Sequence, residues 1–146
     1  MSNYEHDFYS WTQEQVQALR HKDWAALDVD HLAEEIEDLG QSIEQAIESH
    51  LERLLLHLLK FRYDPAREPR RGWRLTIRHA RREIAKLIRN NPGLQHHPAR
   101  YLTDAYEVAR EDAPDATGLP PEIFPAICPW SLAQLLDRDF WPEEAL

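Results

Sequence analysis

The chain places four carboxylates within five residues: Glu34, Glu35, Glu37 and Asp38. Carboxylate oxygens are the ligands that a hard cation such as Mg2+ selects. A metal-dependent hydrolase uses such an ion to polarise a phosphoryl oxygen or to activate water. At 100° per residue, Glu34 and Asp38 fall on one side of a helix, opposite its apolar stripe, and Glu35 lies on the stripe's flank. The site would need a second acidic cluster facing the first. The next long segment is basic and offers only Glu83, so Asp104 and Glu107 are the completion the sequence provides. Glu34, Glu35 and Asp38 are thus candidate ligands of a hard cation. The plainer reading is a solvated acidic face near a helix N-terminus, which is what a like-charge run usually forms.

His50 and His57 are seven residues apart on one side of the same helix, but the helical rise separates them by about 10.5 Å. A zinc ion reaches ligands at about 2 Å, so the two cannot share one. A di-metal bundle site would want Glu three residues before each His, and Ile47 and Leu54 stand there. Interior or boundary histidines, hydrogen-bonded to neighbours, are the expectation. His96-His97 reads as loop. The single cysteine, Cys128, lies between Pro125 and Pro129. It has no basic neighbour to lower its pKa, and alone it makes neither an internal disulfide nor a cysteine zinc site. No cofactor is expected.

The third candidate is cationic. Lys60 to Arg89 carries eleven Lys/Arg against three acids, a charge of +8 within a chain of −9, so the remainder is −17. Arg74, Arg78, Arg81, Arg82 and Arg89 are expected to lie away from, or to flank, the Trp73/Ile77/Ile84 stripe of a helix. With Arg67, Arg70 and Arg71 they carry the charge to grip phosphates. The negative remainder argues against nucleic acid. So does antiparallel folding about residue 67, which would set Arg81 and Arg82 near Glu52, and Arg89 near Glu44 or Glu48. Internal pairing plus solvation is the expected use of these charges, with an acidic protein partner behind it.

Helices must position these residues. Leu32, Ile36, Leu39, Ile43, Ile47, Leu51, Leu54 and Leu58 hold one phase in steps of three and four, the pattern of one amphipathic helix over 28–63. Its length would be about 50 Å. Gly40 costs roughly 1 kcal/mol against Ala but does not shift the phase, so a bend at most is expected. Asp28 can cap it, and Asp30, Glu34 and Glu35 suit its N-terminal dipole. Ser10 with Gln13 resembles a capping box for a first helix over Trp11–His21, with Val16 and Leu19 inward. Asp23 to Leu27 is a short connection. A proline-rich cationic linker follows residue 63, and Trp73, Ile77, Ala80, Ile84, Leu87 and Ile88 predict a second long helix over 72–90, antiparallel to the first. A third helix follows Pro98, with Tyr101, Leu102, Ala105 and Val108 on one side. The proline-rich tail, 114–146, reads as a strap with one short helix over Ser131–Asp137, capped by Ser131.

The order of LAEEIEDLG (Leu32–Gly40), LLLHLLK (Leu54–Lys60), Trp73 with Ile77 and Arg81, and CPWSLAQLLDRDFWP near the end resembles the bacterial family catalogued as domain of unknown function number twenty-nine. The resemblance runs from Tyr4 to Pro142. It departs at Gly72-Trp73, where Ser-Trp is expected, and so bears on that helix's cap. It implies an all-α, stand-alone small protein and no particular activity. The acidic run separately resembles the E-E-x-x-(E/D) half of the all-α nucleotide pyrophosphatases, which hold magnesium; that resemblance implies a magnesium-dependent nucleotide hydrolase with Glu34, Glu35 and Asp38 as metal ligands.

The fold expected is all-α, a helical bundle around two long antiparallel helices with shorter ones packed on them. A length of 146 residues suits a single domain. The longest apolar run is Trp24–Leu27, too short for a membrane span, and the acidic, polar N-terminus is no signal peptide. A soluble cytoplasmic protein is expected. The absence of a complete catalytic set, beside a dipolar surface, favours a non-enzymatic interaction or accessory protein that binds a protein partner or itself. The magnesium hydrolase and nucleic-acid binding through the basic helix are the alternatives.

Overall fold

The computed structural model describes residues 3–143. Among them are five α-helices and no strand: α1 Phe8–Arg20, α2 Val29–Tyr63, α3 Arg70–Asn90, α4 His97–Thr117 and α5 Leu132–Leu136. The all-α architecture is as the periodicity predicts. By contacts the chain divides into two compact units, one up to Ser42 and one from Ile43 onward. The two are described separately.

In the first unit, α1 begins a turn earlier than expected. Asp7 is its N-cap and its side chain accepts the Ser10 N–H at 3.1 Å, so Ser10 is not the cap. The inward face is the one whose Trp11 and Gln15 hydrogen-bond to Asp28. Trp11, Gln15 and Ala18 are buried, while Val16 and Leu19, expected inside, are exposed. A 3-10 turn at Trp24–Ala26 makes the connection. Asp28 then caps the N-terminal end of α2 as expected, with Oδ1 accepting the His31 N–H at 3.4 Å. The apolar stripe of α2 changes meaning here. Ile36 and Leu39 belong to it by phase, yet they are 67% and 66% exposed. Phase says which residues share a face; a neighbouring element must cover that face, and among the described residues none covers Ile36 and Leu39.

In the second unit the same stripe is core. Ile47, Leu51, Leu54 and Leu58 have no exposed surface. Helix α3 returns antiparallel: Phe61 lies against Arg70 and Arg74, and His50 meets His79 edge to face. Arg70 holds the turn, donating to the Phe61 carbonyl at 3.0 Å and the Asp64 carbonyl at 2.7 Å. These are carbonyls the end of α2 leaves free. The helix starts at Arg70, two residues before the expected Gly72, with Pro69 as a cap that makes no side-chain bond. Trp73 is 8% exposed, in keeping with its place in the stripe.

Helix α4 lies alongside α2. His97 Nε2 donates to Glu48 at 3.1 Å and the Tyr101 hydroxyl to Glu52 at 3.0 Å. Two expectations fall with this. His97 is the first helical residue rather than loop, and the two glutamates serve α4 instead of the arginines of α3. Val108 is turned out, because the packed face is Ala105, Tyr106, Ala109 and Ala113. The helix also runs through Pro114 to Thr117, past the expected start of the tail. In the last turn a proline forfeits a single backbone bond and keeps a helical φ. Gly118 closes the helix at φ 74°, donating to the Pro114 carbonyl, a conformation a Cβ disfavours. Beyond it Phe124 and Leu135 are fully buried in the core. Helix α5 has the Ser131–Gln134 capping box at its start. Residues 144–146 of the expected strap lie outside the described residues. No helix of the described residues is long and apolar enough to cross a membrane.

Candidate functional site

The basic residues of α3 separate by burial. Arg81 is 4% exposed, so it is no surface cation as the helical wheel suggested. Its Nε donates to the Leu135 carbonyl at 2.7 Å and its Nη2 reaches the Gln134 carbonyl at 3.4 Å. Those are end carbonyls of α5, at the negative pole of a very short helix. Arg81 therefore anchors α5 to α3. Its Nη1 is buried with no hydrogen-bond partner among the described residues. Burial lowers its pKa and the nearby Asp137 opposes this; an arginine keeps its charge under such a shift.

Over this anchor lies a groove of about 800 Å3 between α3 and the segment after α5. Arg78, Arg82, Lys86 and Arg89 line one side and Arg138 the other, with Leu136, Trp141 and Ala85 supplying apolar surface. Glu83 and Asp139 are its acids. The guanidinium carbons of Arg78 and Arg81 each lie 5.5 Å from the Trp141 ring centre, fixing that ring in the groove. Among the described residues Arg82, Lys86, Arg89 and Arg138 form no ion pair. Arg74 lies apart, over the Phe61 ring at 5.6 Å. Of the five arginines singled out by sequence, the groove collects Arg78, Arg82 and Arg89, with Arg81 beneath them. Lys86 joins them, as its four-residue spacing from Arg82 signals. Arg138 and Trp141 could be found only by folding.

The acidic candidates are arranged differently. Glu34 and Asp38 are exposed, and Glu35 is half-buried and accepts the Tyr4 hydroxyl proton. That hydrogen bond, more than burial, pushes the Tyr4 pKa up to about 12. Next to it, Asp28 Oδ2 accepts from His31 Nδ1 at 2.7 Å and from the Trp11 indole at 3.1 Å. Gln15, 2% exposed, accepts the Asp28 N–H at 2.8 Å. The Tyr4 ring stacks on His31 with centres 3.9 Å apart. The hydrogen bond from His31 lowers the Asp28 pKa, and the same bond raises that of His31. Sequence reading saw in Asp28 only a helix cap. Among the described residues no group of three or more His, Cys, Asp or Glu side chains is close enough to hold one metal ion. Asp104 and Glu107 are exposed on α4.

The remaining candidates are quiet. His57 Nδ1 donates to the Arg53 carbonyl of its own helix at 2.8 Å. Burial lowers the pKa of both His50 and His57. Cys128 donates to the Trp130 carbonyl at 3.4 Å, and burial raises its pKa, the reverse of what a thiolate nucleophile needs. It lines a second cavity of about 780 Å3 with Tyr106, Arg110 and Trp130.

One family signature matches residues 3–141, nearly the same span, Tyr4 to Pro142, as the resemblance in sequence. The chain belongs to that family. Its description is domain of unknown function DUF29. No curated protein and no solved structure matches the chain.

Proposed function

We propose that this protein is a non-enzymatic interaction protein whose α3 groove receives an acidic segment of a protein partner. One observation carries the reading. Four cations, Arg82, Lys86, Arg89 and Arg138, face a groove without ion-pair partners among the described residues, around an apolar strip of Leu136 and Trp141. Like charges held on one face repel, and an anionic ligand relieves that repulsion. Apolar surface between the charges favours a ligand with side chains over a bare phosphate chain. The hydrolase alternative draws no comparable support, since Glu34 and Asp38 are exposed and Glu35 is engaged by Tyr4.

The test uses the full chain and a fluorescent helical peptide bearing Glu at every fourth position beside a leucine stripe. Anisotropy should show binding that weakens as salt rises, and R82E/K86E should lose it at least about tenfold, or 1.4 kcal/mol. No binding at low ionic strength overturns the reading. Displacement of the peptide by a lower concentration of single-stranded oligonucleotide would transfer the groove to nucleic acid.

A further inference from the structure

Residues up to Ser42 carry ten acids and two bases, a charge of −8, whereas residues from Ile43 onward carry sixteen acids and fifteen bases, a charge of −1. Within the acidic unit, the N-terminal part of α2 exposes a run of large apolar side chains: Val29, Ile36 and Leu39 are 65%, 67% and 66% exposed. At 100° per residue these three lie within about 80° of one another. On the other side of the helix, centred about 140° away, run Asp30, Glu34 and Glu37, which share a face at steps of four and three. All three are exposed. This is an amphipathic helix segment with an exposed apolar strip on one side and a row of carboxylates on the other.

The α3 groove has the complementary make-up. Arg78, Arg82, Lys86 and Arg89 form a row on one helix, about 6 Å apart at each four-residue step and spanning about 16 Å in all. An acidic helix laid along it presents carboxylates at the same pitch, and the row Asp30–Glu34–Glu37 spans about 10 Å. Its apolar strip would then meet Leu136 and Trp141. We infer that the occupant of the groove is the Val29–Leu39 segment of α2 from a second copy of this chain, its acidic side on the α3 cations and its apolar side toward the opposite wall. The inference rests on the reading of the groove as an acidic-segment site and names its partner.

Two complementary patches on each chain make the contact heterologous, so assembly either closes in a pair exchanging both contacts or continues from copy to copy. Both patches are needed on every chain, and this gives the idea a sharp test. The net charge of −9 opposes approach at long range. At physiological salt the Debye length is about 8 Å, which screens that repulsion while leaving contact pairs in force.

Sedimentation velocity on the full chain is the measurement. The wild type should associate at micromolar concentration and dissociate as salt is raised toward 1 M. R82E/K86E and E34K/E37K should each weaken association at least about tenfold, or 1.4 kcal/mol. An equimolar mixture of the two should restore it, because each altered patch then meets its opposite. Circular dichroism checks that both variants fold. A second readout needs no variant: zero-length carbodiimide coupling of mixed isotopically light and heavy chains should join Lys86 of one copy to Glu34 or Glu37 of another. A wild type that stays monomeric at millimolar concentration in low salt overturns the inference. So does association that R82E/K86E leaves unchanged, which would mean that the apolar faces pair with each other. If the acidic peptide binds the groove while the chain stays monomeric, the second copy is excluded and the reading of function stands. If the peptide fails as well, both fall.

Discussion

The two units solve the problem of holding a helix in opposite ways. Up to Ser42, Trp11, Gln15 and Ala18 are the only buried residues among those described. Order there comes from directed bonds converging on Asp28, from Trp11, His31 and Gln15, with Tyr4 stacked on the histidine. From Ile43 onward, a continuous apolar core of leucines, Ile77, Ile84, Phe124 and Leu135 is shut from water. Yet α2 carries one unbroken apolar phase through both. The same heptad-like pattern yields Leu54 with no exposed surface and Ile36 two-thirds exposed. Amphipathic period establishes a face; it does not supply the surface that covers it.

The contrast breaks most visibly by truncation. Leu54→Ala should cost about 2–5 kcal/mol, the range for emptying a packed core site. Ile36→Ala and Glu37→Ala should each stay within about 0.5 kcal/mol, as exposed positions do. Chemical unfolding at a concentration where the chain is monomeric measures all three. An Ile36 loss approaching that of Leu54 would mean the first unit has a core after all.

A second test asks whether the core unit also depends on directed bonds. Arg81→Met keeps the aliphatic bulk but removes the donors to the Leu135 and Gln134 carbonyls. Hydrogen bonds from charged groups contribute about 1.5–3 kcal/mol. Relief of burying a charge offsets part of this, so a net loss of about 1–2 kcal/mol is expected. Hydrogen exchange should speed up first in α5. Unchanged protection there would show that apolar contact alone seats that helix.

The smallest expected effect separates the units by pH. His31 has a raised pKa when folded, so its contribution is complete below its unfolded value of 6.5 and is lost as pH rises through the higher folded value. Asp28 has a lowered pKa, so its contribution is present above its unfolded value of 3.8 and is lost as pH falls through the lower folded value. Stability of the first unit should therefore be greatest between about pH 4 and 6.5 and decline on either side. Amide exchange of residues 8–35, followed across that range, checks it. In His31→Gln the alkaline decline should vanish. Solvent screening keeps the effect modest, since both side chains are about one-third exposed.

Much of this molecule is legible from residues alone. Steps of three and four placed α2 to within a residue, and Ser131 as a cap placed the start of α5. Asp28 as a cap and Trp73 as a buried residue followed from local chemistry. Local signals suffice there because a helix is made of bonds between residues four apart. Where two local signals compete, they mislead. Asp7 takes the cap that Ser10 resembles, and the hydrogen bonds that tie Trp11 and Gln15 to Asp28 fix an inward face that leaves Val16 and Leu19 out.

What the sequence could not decide depends on contacts distant along the chain. Arg81 looks like its neighbours Arg78 and Arg82 until Leu135 and Gln134, more than fifty residues away, turn it into a buried anchor. Glu48 and Glu52 look like natural partners for α3, but α4 reaches them first with His97 and Tyr101. Among the described residues Arg82, Lys86 and Arg89 are thus left without ion-pair partners, and they give the groove its charge. Period and propensity act over one helical turn, whereas burial and ion pairing depend on which segment arrives alongside. Only the packed chain decides that.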